Sequence, residues 1–189
     1  MTLAHPQPAT ASCAAPEPAD MRQYDWYDLT TLPDQPATDW RYWLQLPGSL
    51  TQALRERTPA FSVRVLAEGE LTLATPLAAF TEQADACQCW SRQVALCHGD
   101  TPWVLAHTLV TRSSLNGCLS ALTHLNTRPL GELLFTTPGV RKDQQQITRT
   151  EHGWARRTRY WLHGAPLLVA EFFMEALLSH EHQRLSTLP

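Results

Sequence analysis

Two strand–turn–strand patterns constrain this chain more than any other feature of its sequence. Residues 90–97 and 103–111 are apolar-rich runs separated by the turn HGDTP. Residues 154–163 and 167–174 repeat the pattern around the turn HGAP. Because short turns that contain Gly and Pro join neighbouring strands, these patterns predict two β-hairpins and therefore an antiparallel sheet.

Helices are predicted beside and between the hairpins. The sequence SLTQ has the capping-box form, which predicts a helix over residues 49–57 in which Gln52 reaches back to the capping serine. Leucines at helical spacing predict a second helix over residues 114–125, with Ser113 or Ser114 as its cap.

The remaining elements complete the predicted fold class. Strands are predicted over residues 61–67 and 144–150, and Pro129 suits the first position of a short helix. Residues 71–80 fit either kind of element. Strands joined by short turns, with helices inserted, predict a single α+β domain built on an antiparallel sheet.

The two ends of the chain differ from its centre. Residues 1–20 consist of Ala, Pro and small polar residues, which predicts a disordered tail. Globular character becomes clear from about Thr38, and the domain is predicted to span residues 21–178. Residues 179–189 are predicted to form a C-terminal tail.

Composition excludes several classes of protein. The 189 residues carry a formal net charge of −3 with a pI of about 6.2, which argues against a protein that coats nucleic acid. The longest apolar stretch, residues 165–178, contains two glutamates and is too short for membrane insertion. The N-terminus lacks the features of a secretory signal, so a cytoplasmic protein with reduced cysteines is expected.

No motif predicts a metal or a nucleotide cofactor. Cys87 and Cys89 have CxC instead of CxxC spacing, and Cys89 and Cys97 fall on a predicted strand. This arrangement does not match a structural zinc site. The sequence also lacks a glycine-rich phosphate loop and a GxSxG nucleophile motif.

The most informative signal is a pair of charges on apolar strand faces. Side chains alternate between the two faces of a strand. Arg92 therefore shares a face with the bulky apolar residues of strand 90–97, and Glu171 does the same in strand 167–174. Because an unpaired buried charge is costly, each of these charges needs a partner.

Three arrangements satisfy this requirement. Arg92 and Glu171 can form a buried ion pair, their strand face can be exposed to solvent, or both can line a closed pocket for an anionic ligand. Periodicity does not distinguish among them.

Residues 111–160 hold eight basic and three acidic residues, a balance of +5. This segment forms either a solvated basic face or a field that attracts a small dianion.

Four blocks of sequence resemble the bacterial chorismate lyase (chorismate pyruvate-lyase) family. They are SRQVALCHGDTPW from Ser91, PLGELLFT from Pro129, GWARRTR from Gly153 and GAPLLVAEFF from Gly164. No single block is as diagnostic as a Walker loop. The resemblance nevertheless runs in order over residues 39–174, which makes the set far more specific than any of its parts.

The resemblance implies a fold, a reaction and a cellular role. The fold is a six-stranded antiparallel sheet with helices packed around it and a ligand site buried under helical flaps. The reaction converts chorismate into 4-hydroxybenzoate and pyruvate, without a cofactor, as the first step towards ubiquinone. The family further suggests a monomer. Because the product keeps the ring carboxylate and the 4-hydroxyl, tight product retention is expected.

The same resemblance places the family's ligand contacts on four residues. Arg92 would hold the ring carboxylate through a bidentate contact, and Glu171 would accept a hydrogen bond from the 4-hydroxyl. Leu130 and Leu50 fall at predicted helix N-termini, where backbone N–H groups can bind a carboxylate oxygen. A family member carries Met at the position of Leu50, a change that matters only if the side chain makes the contact.

The sequence leaves some roles open. Glu171 either orients the ring only or also transfers a proton. Arg156 and Arg157 are both candidates for the second carboxylate of chorismate, but neighbours on a strand face opposite ways, so at most one reaches the pocket.

Two other functions compete with the lyase. One is a non-catalytic module that binds an aromatic carboxylate, since a similar fold is the effector-binding domain of some bacterial transcription regulators. The segment before the domain is too short and proline-rich for their helix-turn-helix. The other is an interaction protein in which the pair of Arg92 and Glu171 is purely structural.

Overall fold

The computed structural model describes residues 17–74, 77 and 86–186. These residues form one six-stranded antiparallel sheet of order β1-β2-β3-β6-β5-β4, which confirms the predicted α+β class. The strands are β1 Phe61–Leu73, β2 Cys87–His98, β3 Thr101–Thr111, β4 Arg141–Thr150, β5 Gly153–Leu162 and β6 Ala165–Met174. Helices in the described part are α1 Thr38–Leu44, α2 Leu50–Arg55, α3 Arg112–Asn116, α4 Leu130–Thr136 and α5 Glu175–Ser186.

Both predicted hairpins are present. Gly99, with a φ of +55°, turns the chain between β2 and β3. His163 and Gly164 turn the chain between β5 and β6, with φ values of +51° and +79°. Two successive residues with positive φ give a turn whose twist matches that of antiparallel strands. Because β3 pairs with β6, the two hairpins lie side by side at the centre of the sheet.

The sheet is covered on both faces at its centre. One face, which we call the helix face, packs against the helices, and its buried side chains include Trp43, Val94 and Phe173. The other, which we call the opposite face, packs against residues 19–26, among which Met21 is fully buried. The sheet is therefore the middle layer of the fold.

The predicted helix over residues 114–125 is wrong. The chain forms the short α3, breaks at Gly117 and continues as a 3-10 turn over Ser120–His124. Glycine disfavours a continuous helix because it loses more backbone entropy than other residues. The cap is also two or three residues earlier than predicted, since the Thr111 side chain accepts a hydrogen bond from the Ser114 N–H at 3.3 Å.

The predictions around α2 are confirmed in part. Ser49 caps the helix, and its Oγ accepts from the Gln52 N–H at 3.3 Å. The Gln52 side chain does not return to Ser49 but donates to Glu56 at 3.0 Å. Strand β1 extends beyond the predicted residue 67, so residues 71–73 belong to it, whereas residues 75–76 and 78–80 lie outside the described ones.

The chain packs against the sheet earlier than the sequence pattern indicates. The Met21 N–H donates to His107 Nδ1 at 3.2 Å on the opposite face, so ordered packing begins well before Thr38. Helix α5 crosses the predicted boundary at residue 178 and buries Leu177. The division into tail, domain and C-terminal segment stays a prediction, and residues 1–16 and 187–189 lie outside the described ranges. Among the residues that the structure describes, no helix is long and apolar enough to cross a membrane.

Candidate functional site

A partly enclosed pocket lies on the helix face, between the sheet and the N-terminal ends of α2 and α4. Its volume is about 40 Å³. The lining residues are Leu50, Thr51, Arg92, Val94, Leu96, Ala106, Thr108, Pro129, Leu130, Gly131, Leu134, Phe135, Arg156, Tyr160, Val169 and Glu171. The four residues selected from the sequence, Leu50, Arg92, Leu130 and Glu171, therefore meet in one pocket.

Strand register explains how the two charges come together. Arg92 on β2 pairs with Thr108 on β3, which in turn pairs with Val169 on β6. Glu171 lies two residues farther along β6, so its side chain shares a face with that of Val169. Only β3 separates the strands that carry Arg92 and Glu171.

Arg92 is buried, with 2% of its side chain exposed. Its Nη2 donates to the carbonyl oxygens of Asn126 and Arg128, the latter at 3.4 Å. Its Nε lies 3.6 Å from a carboxylate oxygen of Glu68 and has no hydrogen-bond partner among the described residues. Burial lowers the pKa of Arg92, and the charge of Glu68 opposes this shift. The guanidinium is thus held in place by carbonyl groups and keeps an unused buried donor.

Glu171 is paired with Arg156. The two residues face each other on β6 and β5, and Arg156 Nε donates to Glu171 Oε2. Arg156 Nη1 donates to three carbonyl oxygens, those of Trp43 at 3.0 Å, Leu44 at 3.3 Å and Leu46 at 3.3 Å. Burial would lower the pKa of Arg156, but the Glu171 carboxylate outweighs it and the pKa is raised.

The structure distinguishes the two adjacent arginines. Arg156 lines the pocket, whereas Arg157 lies on the opposite face. There Arg157 donates to Gln146 Oε1 from Nε at 2.9 Å and from Nη2 at 2.6 Å, and its guanidinium lies over the ring of Trp26. Of these two neighbours, Arg156 is therefore the one that can act in the pocket.

The N-terminal ends of α2 and α4 approach each other closely above the sheet. Leu50 is the first residue of α2 and Leu130 the first of α4. A Cβ at Gly131 would lie 2.7 Å from Thr51 Oγ1, so a larger residue there would force the two helix ends or the Thr51 side chain to shift. The first N–H groups of a helix have no acceptor within the helix, and two such ends meet at this pocket.

Sequence reasoning missed several polar residues of the pocket. Tyr160 lines it, and burial together with the nearby Glu171 carboxylate raises the pKa of its phenol to about 12. Thr51 and Thr108 also line it. Strand alternation could have placed Tyr160 and Thr108 on the helix face, but neither stands out from the sequence, because Tyr and Thr are common in strands.

Two of the three arrangements open to the two charges are excluded. The direct ion pair is not formed, since Arg92 lies near Glu68 and Glu171 bonds to Arg156. Their strand face is not open to solvent either, because Arg92 and Arg156 are buried.

Within the described ranges, no three His, Cys, Asp or Glu side chains cluster so that they could hold a metal ion.

Comparison with known proteins gives a consistent result. Residues 23–183 match the profile of the chorismate lyase family. A probable chorismate pyruvate-lyase of Shewanella loihica is 36% identical over 168 residues, which cover 79% of this chain and 86% of the relative. The chorismate pyruvate-lyase of Salmonella arizonae is 33% identical over 136 residues, which cover 72% of this chain and 82% of the relative.

Solved structures with partial similarity come from transcription regulators. The C-terminal domain of a histidine utilization repressor from Pseudomonas syringae has a TM-score of 0.46 at 10% identity, over 61% of this chain and 92% of the other. A GntR-family regulator from Bacillus cereus has a TM-score of 0.43 at 7% identity, over 62% of this chain and 93% of the other.

Proposed function

Because the chain belongs to the chorismate lyase family, we propose that it converts chorismate into 4-hydroxybenzoate and pyruvate. The observation that carries this proposal is the position of Arg92 and Glu171 in one partly enclosed pocket of the helix face. A buried cation and a carboxylate acceptor across an apolar pocket suit a ring with an acid group at one end and a hydroxyl at the other.

The chemistry needs orientation more than it needs a powerful reagent. The bond between ring C3 and the ether oxygen breaks, the C4 hydrogen leaves as a proton, and the ring becomes aromatic. The released enolpyruvate takes up a proton and becomes pyruvate. Because aromatisation drives this elimination, the main tasks of the protein are to hold the reactive conformation and to stabilise the developing charge. No cofactor is part of the proposal.

We assign the ring carboxylate to Arg92. The Nε of Arg92 is buried and has no hydrogen-bond partner in the described part of the chain, so a carboxylate beside it would satisfy this donor. The carbonyls of Asn126 and Arg128 orient the guanidinium before the ligand arrives. The amide of Leu130, and that of Leu50, would add hydrogen bonds from the helix N-termini.

We assign the 4-hydroxyl to Glu171. Arg156 engages Oε2 and leaves Oε1 to accept from the ligand. This contact would orient the C4–H bond for elimination, and Glu171 would act through orientation whether or not it also takes the proton. For the second carboxylate, Arg156 is the candidate cation, because Arg157 lies on the opposite face.

Entry of chorismate requires the pocket to open. A cavity that holds benzene has a volume of about 150 Å³, whereas this pocket has about 40 Å³. The N-terminal ends of α2 and α4 form its roof. We propose that the segments that carry these helices are flaps that separate to admit substrate and close over it. The product would leave slowly, since it retains the contacts of Arg92 and Glu171.

The wider role of the enzyme is proposed on the family alone. The chain would act as a monomeric cytoplasmic enzyme, and its formation of 4-hydroxybenzoate would be the first step of ubiquinone biosynthesis.

Turnover of chorismate tests this function and separates it from the alternative. The purified protein is mixed with chorismate and a metal chelator, and 4-hydroxybenzoate and pyruvate are measured by chromatography. Formation of both in equal amounts, well above the spontaneous background, is expected. If neither forms but 4-hydroxybenzoate raises the melting temperature, the chain is the non-catalytic binding module instead.

A further inference from the structure

The guanidinium of Arg156 joins the floor of the pocket to a segment that is distant in sequence and leads to the roof of the pocket. On one side it donates to Glu171, which belongs to the floor of the sheet. On the other it donates to the carbonyls of Trp43, Leu44 and Leu46, at the end of α1 and in the connection that leads to α2. The chain reaches the pocket only four residues later, at Leu50.

This double attachment uses the geometry of arginine. The guanidinium is planar and its donors point in fixed, different directions, so Nε and Nη1 can bind a carboxylate and carbonyl oxygens at once. Arg156 is 3% exposed and Glu171 12% exposed, so water competes little for these hydrogen bonds. Gln145 reinforces the attachment, because its Nε2 donates to the Leu44 carbonyl at 3.0 Å.

We propose that Arg156 is a positioning residue that couples closure of residues 43–50 over the pocket to the orientation of the Glu171 carboxylate. The inference rests on the proposed function, because it takes residues 43–50 as part of a flap that closes over chorismate. When the flap opens, the carbonyls leave Arg156 and Glu171 loses its fixed partner. The hydroxyl acceptor is therefore in place only when the pocket is closed.

The test compares Arg156→Lys with Arg157→Lys. Both variants keep the charge on the same strand, but only the first removes a planar donor from the helix face. Amide hydrogen exchange without ligand should be faster over residues 43–50 in Arg156→Lys and unchanged in Arg157→Lys. The value of kcat/KM for chorismate should fall at least about tenfold in Arg156→Lys, with a faster rate of product release, since misplacement of a positioned group is costly.

A separate measurement asks whether the effect of Arg156→Lys on ligand binding depends on Glu171. The dissociation constant of 4-hydroxybenzoate is determined for wild type, Arg156→Lys, Glu171→Gln and the double variant. The effect of Arg156→Lys should disappear in the Glu171→Gln background, because the two residues act as a unit. 4-Hydroxybenzoate lacks the second carboxylate for which Arg156 is the candidate cation, so an effect of equal size there would mean that Arg156 does not act through Glu171, and it would overturn the proposal.

The outcomes separate this inference from the proposed function. Unchanged exchange over residues 43–50 in Arg156→Lys would overturn the coupling, whatever the enzyme does with chorismate. Wild-type protein that fails to produce 4-hydroxybenzoate would overturn the function, while the exchange comparison would still decide whether Arg156 fixes residues 43–50.

Discussion

At the scale of single residues, the pocket depends on charges that are expensive to bury. Arg92 has only carbonyl oxygens and the more distant Glu68 as partners, and its Nε is unsatisfied among the described residues. A buried donor without a partner destabilises the empty protein. The same donor favours a ligand that brings a carboxylate, because a hydrogen bond to this ligand would remove the free-energy cost that the unsatisfied donor imposes on the empty protein.

Arg92→Ala should weaken binding of 4-hydroxybenzoate by at least about 2 kcal/mol, because a buried charged hydrogen-bond pair is lost. That loss corresponds to about 30-fold in the dissociation constant. Titration by intrinsic fluorescence or calorimetry measures it. Arg149→Ala is the control, since Arg149 is exposed and remote from the pocket. Equal affinity of the two variants would contradict the assignment of the ring carboxylate.

Glu171→Gln should reduce kcat for chorismate more than it reduces affinity for 4-hydroxybenzoate. The amide keeps the size of the side chain and one oxygen acceptor, but it removes the charge that pairs with Arg156 and that we propose orients the substrate. Steady-state kinetics and product titration on the same variant provide the comparison. Wild-type kcat in this variant would show that Glu171 is not needed for turnover.

Sequence alternation was sufficient to select Arg92 and Glu171, because a charge among apolar strand residues is conspicuous. It could not select between Arg156 and Arg157. The choice depends on which face of the sheet each residue takes, and both faces of this strand carry buried apolar or aromatic residues: Ala155 is buried on the opposite face and Tyr160 on the helix face. Nor could it reveal that Asn126 and Arg128 use backbone carbonyls, which carry no signature in side chains.

At the scale of elements, the contact between α2 and α4 forms the roof of the pocket. Thr51 on α2 and Gly131 on α4 meet so closely that a larger residue at position 131 would force a shift. Both helices are short, so they are stabilised by packing and not by their own hydrogen bonds. The position of each N-terminus therefore depends on the other helix.

Gly131→Ala should lower stability by about 1–3 kcal/mol and weaken product binding, because the added Cβ would overlap with Thr51 Oγ1 and separate the helices. Chemical denaturation and product titration measure the two effects. Gly48→Ala is the matched control, since nothing lies within 4 Å of a Cβ at that position. Equal behaviour of the two variants would contradict the close helix contact.

Prediction of elements succeeded where local signals were strong. Turn residues and apolar runs located both hairpins, and the Ser49 cap located α2. The predicted helix over residues 114–125 is wrong because the chain breaks at Gly117 in spite of the leucine periodicity. The buried leucines of this region still pack on the helix face. The periodicity therefore predicts correctly which side chains are buried, although the backbone forms a short helix and a 3-10 turn instead of one continuous helix.

At the scale of the whole molecule, the opposite face is closed by the N-terminal segment. His107 is fully buried there, accepts from the Met21 N–H and lies 2.9 Å from Ser91 Oγ. Burial lowers the pKa of His107 to about 4, against an opposing influence from the Asp20 carboxylate. The sequence did not predict this layer, because residues 17–26 show no strand or helix period.

Stability should fall between neutral pH and pH 4.5. The unfolded chain binds a proton at His107 below about pH 6.5, whereas the folded chain does so only near pH 4, so stability is complete above pH 6.5 and is lost on acidification. At pH 4.5, His107 should lower the free energy of unfolding by on the order of 2 kcal/mol relative to neutral pH. Urea denaturation at both pH values should show a smaller decrease for His107→Gln than for wild type. An equal decrease would contradict a neutral buried His107.

The most direct test of the account is the first turnover of chorismate. Wild type and Arg92→Ala are mixed rapidly with excess chorismate and a chelator, and 4-hydroxybenzoate is followed from the first milliseconds. Wild type should form one equivalent in a fast phase, followed by a slower steady rate set by product release, and Arg92→Ala should lack the fast phase. A wild type that forms no 4-hydroxybenzoate, or an Arg92→Ala that matches it, would contradict the account.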